Sequence, residues 1–129
     1  MPNELILIVE DNDKNMKLAR DVLNYAGFRI IEATDGETGV RLAAEHHPAL
    51  ILMDIQLPGI DGITALERIR SDERTAAIPA VALTASVMTG DRERFVQAGF
   101  DGFIAKPIDV PTFAAQVREY LERGRTGMQ

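Results

Sequence analysis

The sequence predicts an α/β fold: an open, doubly wound parallel sheet of five strands with helices on both faces. Three observations lead there. Short apolar runs recur at residues 5–9, 50–53, 79–83 and 103–105, with a further strand read at 29–33, and such runs are what strands buried on both faces look like. Each strand is followed by apolar residues at helical spacing. The four apolar runs stop at polar residues, namely Glu10 with Asp11, Asp54, Thr84 and Lys106.

After the first run, Met16, Ala19, Leu23 and Ala26 share one helix face, and Gly27 ends that helix. The run at 29–33 is a second strand. Asp35 is placed to cap a helix through Glu45 that buries Val40, Ala43 and Ala44, closed by His46, His47 and Pro48. Past the third strand, residues 59–62 make a loop, and Ile63, Leu66 and Ile69 form the stripe of a third helix. Pro79 opens the fourth strand, where a missing N–H does least harm. A helix over about 90–98 stops at Gly99. The fifth strand leads to Asp109, expected to cap a last helix with Phe113, Val117, Tyr120 and Leu121 on its inner face. Residues 1–123 then make one domain, and 124–129 a short disordered tail.

Alternating strands and helices imply right-handed βαβ crossovers. A flavodoxin-like strand order of 2-1-3-4-5 follows naturally, with the ligand site at the carboxyl ends of the strands, near the switch between the first and third. Glu10, Asp11 and Asp54 stand at those two ends.

Composition narrows the function. A chain of 129 residues, 46% of them hydrophobic, fits one domain with a sizeable core. It has no cysteine, which excludes disulfides, a thiol nucleophile and Cys-based zinc sites and agrees with a reducing cytosol. No stretch reaches bilayer-spanning length, so a cytoplasmic location and no membrane are expected. A net charge of -6 argues against nucleic acid.

Three carboxylates at one sheet edge cannot all stay ionised without a cation. All-oxygen ligation suits Mg2+, with Mn2+ as a possible substitute. Lys106 would offset the acids and hold an incoming phosphoryl oxygen, and Thr84 would hydrogen-bond another. Such an edge supports in-line phosphoryl transfer, in which positioning and charge neutralisation do most of the catalysis. Asp54 ends the most buried run and is the best nucleophile, its product an aspartyl phosphate.

Four motifs carry a resemblance: Val9-Glu10-Asp11-Asn12, the run of residues 53–62 from Met53 to Gly62, Leu83-Thr84-Ala85, and Lys106-Pro107. In this order and spacing they resemble the receiver domain of response regulators over roughly residues 5 to 122. The resemblance implies that Asp54 accepts phosphate from a sensor histidine kinase or a histidine phosphotransfer protein. Glu10, Asp11 and Asp54 would hold magnesium, with the main-chain carbonyl of Gln56 as a further ligand. Thr84 and Phe103 would form a switch pair, although Phe103 stands where tyrosine is more frequent. Gln56 and Ser86 would tune phosphoryl lifetime, and a cis Lys106–Pro107 bond would aim the lysine at the site.

In Glu10-Asp11-Asn12, Asn15-Met16-Lys17-Leu18 and residues 53–58 the chain resembles stand-alone receivers of the DivK-like cell-division type. A single-domain regulator, not a conventional enzyme, is therefore expected, with output through a protein bound at the face of the fourth helix, fifth strand and fifth helix, as a monomer or weak dimer. A phosphorylation-independent adaptor, or a receiver module from a hybrid kinase, is the alternative. A flavodoxin would need a Gly-, Ser- and Thr-rich first loop, and Glu10-Asp11-Asn12-Asp13 would repel a cofactor phosphate. A haloacid-dehalogenase-type phosphatase would need an acid at position 56, which is Gln. His46 and His47 read as a solvated helix end, Met16, Met53 and Met88 as packing, and the charges at 72–74 and 91–94 as solvated faces, the latter bordering the partner surface.

Overall fold

The computed structural model describes residues 3–85 and 89–125. The strands are β1 (Leu5–Val9), β2 (Arg29–Ala33), β3 (Leu50–Asp54), β4 (Ala80–Thr84) and β5 (Gly102–Ala105). The helices are α1 (Asp13–Tyr25), α2 (Gly36–His46), α3 (Gly62–Ser71), α4 (Thr89–Ala98) and α5 (Val110–Arg123). All four strand pairings are parallel and the sheet order is β2-β1-β3-β4-β5, the expected one.

Successive residues of a strand point to opposite faces, and this divides the core in two. Ile6, Ile8, Leu50, Leu52, Val81, Leu83 and Ile104 pack with Met16, Ala19 and Leu23 of α1 and Phe113 and Val117 of α5. Leu7, Val9, Ile51, Met53, Ala80 and Ala82 pack with α2, α3 and α4 through Ala43, Leu66, Ile69 and Phe95. Both faces of β3 are buried throughout, which explains why its sequence is uninterrupted Leu-Ile-Leu-Met.

The caps follow from sequence. Asn12, Asp35 and Asp61 each accept the amide N–H of the residue three positions on, at 3.0, 2.7 and 2.8 Å. Asp109 departs from expectation. It holds the N-cap position, but its carboxylate accepts the Thr112 hydroxyl at 2.6 Å and no backbone N–H. Pro111 in the first turn has no N–H to offer, and the threonine hydroxyl takes the oxygen instead.

One expectation about packing is corrected. In α2 the fully buried positions are Gly36, Gly39 and Ala43, while Val40 and Ala44 are half-buried. Gly39 lies so close that a Cβ would meet Val9 Cγ2 at 2.8 Å, so the helix sits down on its small residues. Tyr120 and Leu121 lie on the inner face of α5 as expected, partly buried and packed against the core. Arg125 donates through Nε to Asp101 Oδ1 at 2.8 Å and through Nη1 to the Ala76 carbonyl at 2.8 Å. Residues 126–129 and Met88 lie outside the described residues.

Candidate phosphoacceptor site

The site forms because four strands end on one edge and side-chain parity sorts what each delivers. Glu10, Asp54 and Lys106 continue the alternation of Ile8, Leu52 and Ile104, so they emerge on the α1 and α5 side. Thr84 continues Ala80 and Ala82 and emerges on the α4 side. Phe103 has that same parity and packs against the same core, and the register pairs Ala82 with Phe103 and Thr84 with Ala105. Thr84 and Phe103 are therefore diagonal neighbours on one face.

Lys106 joins the acids. Its ammonium donates to Glu10 Oε1 at 2.8 Å and to Asp54 Oδ2 at 3.1 Å. The other Asp54 oxygen accepts the Gln56 N–H at 3.1 Å, and the other Glu10 oxygen accepts the Asn12 N–H at 3.1 Å. Glu10 and Asp54 are buried, whereas Asp11 is exposed. Burial raises the Glu10 pKa, and the neighbouring Asp54 adds to this while Lys106 opposes it. Burial pulls the Lys106 pKa down, but its hydrogen bonds to Glu10 and Asp54 outweigh it and the net shift is upward. The ammonium is thus held charged between two acids. The Lys106–Pro107 peptide bond is cis, as the resemblance implies.

The donor set fits a hard divalent cation. Glu10, Asp11 and Asp54 each offer a carboxylate oxygen, all within 4.8 Å of one another. With one ammonium against three acids the edge keeps an excess of negative charge, and an all-oxygen set without imidazole or thiolate suits magnesium.

Sequence reasoning missed part of the site. A cavity of about 260 Å³ opens beside Asp54, walled by Gln56, Thr84 and Lys106 and, from α4, by Asp91 and Arg94. Asp91 and Arg94 are one helical turn apart, with Arg94 Nη1 3.5 Å from Asp91 Oδ1, so the solvated face of α4 also borders the cavity. Their three-residue spacing is the signal that a shared helix face would have given. Arg92, on the same helix, lies over the Phe103 ring at 5.2 Å from its centroid. Ser86 lies outside the described residues. His46 and His47 are exposed, and His47 caps α2 in the left-handed conformation.

The profile of the family described as "Response regulator receiver domain" matches residues 6–118. The chain belongs to that family. Among its relatives is the polar-differentiation response regulator DivK of Brucella ovis, 46% identical over 116 residues that cover 90% of this chain and 94% of the relative. The DivK of Brucella melitensis matches to the same extent. Among solved structures, a response regulator from Chloroflexus aurantiacus superposes with a TM-score of 0.87 at 30% identity, covering 94% of this chain and 99% of that one. The receiver domain of a sensor histidine kinase from Pseudomonas aeruginosa gives a TM-score of 0.83 at 37% identity, covering 95% and 97%, and has a magnesium ion in its active site cleft. Receivers of this family interact with histidine kinases or phosphotransfer proteins and are generally not conventional enzymes. Among the described residues no helix is long and apolar enough to cross a membrane.

Proposed function

We propose that the chain is a DivK-like single-domain response regulator that takes a phosphoryl group on Asp54 and thereby changes which protein it binds. The observation that carries this is the Lys106 ammonium held between the buried carboxylates of Glu10 and Asp54, with Asp11 in ligand range. Asp54 is the nucleophile. The Gln56 N–H and the Lys106 ammonium each hold one of its oxygens, which orients the carboxylate. A carboxylate oxygen attacks phosphorus, the bond to the donor's histidine nitrogen breaks, and the histidine departs. Lys106 and the Thr84 hydroxyl then take phosphoryl oxygens. Glu10, Asp11, Asp54 and the Gln56 carbonyl would hold magnesium, which would supply the charge neutralisation that phosphoryl transfer requires.

Thr84 and Phe103 form the switch. As the hydroxyl moves to the phosphoryl group, the ring follows into the vacated space on their shared face. Phe103 has no phenol, and Arg92 over its ring provides the contact through which ring position reaches the surface. Output then runs through α4, β5 and α5 to a downstream protein, and the donor is a histidine kinase or phosphotransfer protein of the cytoplasm. Gln56 and Ser86 set access of water to the phosphoryl group.

Intact-protein mass after incubation with acetyl phosphate tests this reading. One phosphoryl adduct is expected in wild type with magnesium, and none with chelator or in Asp54→Asn. No adduct in wild type with magnesium would favour a phosphorylation-independent adaptor.

A further inference from the structure

Arg94 reaches the Asp54 cavity from the side opposite Lys106, and nothing in the chemistry so far uses it. Its guanidinium is tied to Asp91 across 3.5 Å, with side-chain exposures of 61% and 27%. So long and exposed a pair is weak and readily exchanged for a better anion. Charge at the site supplies that anion. Glu10, Asp11 and Asp54 balance Lys106 and one divalent cation. Phosphorylation replaces the single charge of Asp54 with an acyl phosphate of about two negative charges and three strong acceptor oxygens. Lys106 is already engaged by Glu10 and Asp54. Arg94 is the other cation lining the cavity.

We propose that Arg94 is a positioning residue for the phosphorylated state: its guanidinium leaves Asp91, hydrogen-bonds the phosphoryl oxygens that face the cavity, and covers the path of hydrolytic water. In hydrolysis a water oxygen attacks phosphorus opposite the Asp54 oxygen. The bond from phosphorus to that oxygen breaks, the carboxylate is restored, inorganic phosphate leaves and the water proton passes to solvent. A planar, multiply donating guanidinium in the cavity keeps water off that line. Arg94 therefore lengthens the phosphoryl lifetime and draws the second turn of α4 toward the site. This inference rests on Asp54 being the phosphoacceptor.

The test is the decay of the phosphoryl adduct, followed by intact mass after acetyl phosphate is removed in magnesium buffer, for wild type, Arg94→Ala and Arg94→Lys. Decay of Arg94→Ala is expected to be faster by about threefold, the scale of one partly exposed charge contact, with Arg94→Lys in between. Raising the salt to about 1 M, where charges screen within about 3 Å, should speed wild-type decay toward that of Arg94→Ala and leave the variant unchanged. A merely structural role for Arg94 would give no such difference in salt dependence. Equal lifetimes in wild type and Arg94→Ala, with adduct present in both, overturn this inference alone. Absence of any adduct in wild type overturns the phosphoacceptor reading and this inference with it.

Discussion

Glu10 shows what the site costs the fold. Its carboxylate is buried beside another acid, and burial holds its folded pKa above the usual 4.5. A carboxyl whose folded pKa exceeds its unfolded value binds protons more readily when folded, so its ionisation opposes folding. That cost is absent below the unfolded pKa, grows as pH rises toward the folded pKa, and is complete above it. Glu10→Gln keeps an oxygen for Lys106 and removes the charge. It should raise the melting temperature in metal-free buffer at pH 7, more than at pH 4, and should lose most of the stabilisation that magnesium gives wild type. Thermal unfolding with and without magnesium reads both effects, and a Glu10→Gln protein less stable than wild type in chelator would contradict them. In sequence Glu10 and Asp11 look alike, two acids at a strand end. Their difference arises because Glu10 keeps the strand's alternation and turns under Lys106, ninety-six positions away, while Asp11 has already left the strand.

At the scale of elements, the approach of α3 to β3 fixes where Asp54 points. Gly62 opens α3, its N–H donates to the Ile55 carbonyl at 2.9 Å, and a Cβ there would collide with the Asp54 carbonyl oxygen. Gly62→Ala should cost about 2 kcal/mol of stability, as overpacking a tight contact does, and slow phosphorylation by displacing the end of β3. Urea unfolding and the adduct-formation rate check this, and an unperturbed variant would show that the contact is slack. The strands and the cap at Asp35 were legible because short apolar runs and a cap to a near neighbour are local. The role of α4 was not. Its sequence, Thr-Gly-Asp-Arg-Glu-Arg-Phe-Val-Gln-Ala, is polar on most sides. Only tertiary placement shows Arg92 on Phe103 and Arg94 on the cavity.

For the whole molecule, the sheet edge opposite the site is held by a buried charge network. Asp101, fully buried, accepts the Ala80 N–H at 3.0 Å and pairs with Arg70 at 3.2 Å and Arg125 at 2.8 Å. Arg70 also donates to the carbonyls of Ile78 and Gly99 at 2.6 and 3.0 Å, which ties α3 to the entries of β4 and β5. Burial, and then the nearby Arg125, lower the Arg70 pKa to about 10, against the pull of Asp101. Asp101→Ala would leave this guanidinium buried without its counter-charge and should cost about 3 kcal/mol, measured by chemical unfolding, while leaving the chemistry at Asp54 intact. No local pattern announces such a network, since its two ion pairs join residues 24 and 31 positions apart. The convergence of Glu10, Asp54, Thr84 and Lys106 on one edge was legible for the opposite reason: each is pinned to a strand end, and topology alone brings strand ends together. The central claim is that Asp54 carries the phosphoryl group. Borohydride reduces an acyl phosphate to the alcohol, so wild type treated with acetyl phosphate and magnesium and then reduced should yield homoserine at position 54 in peptide mass mapping. Homoserine at position 11 instead, or at none of the site acids, would contradict the account.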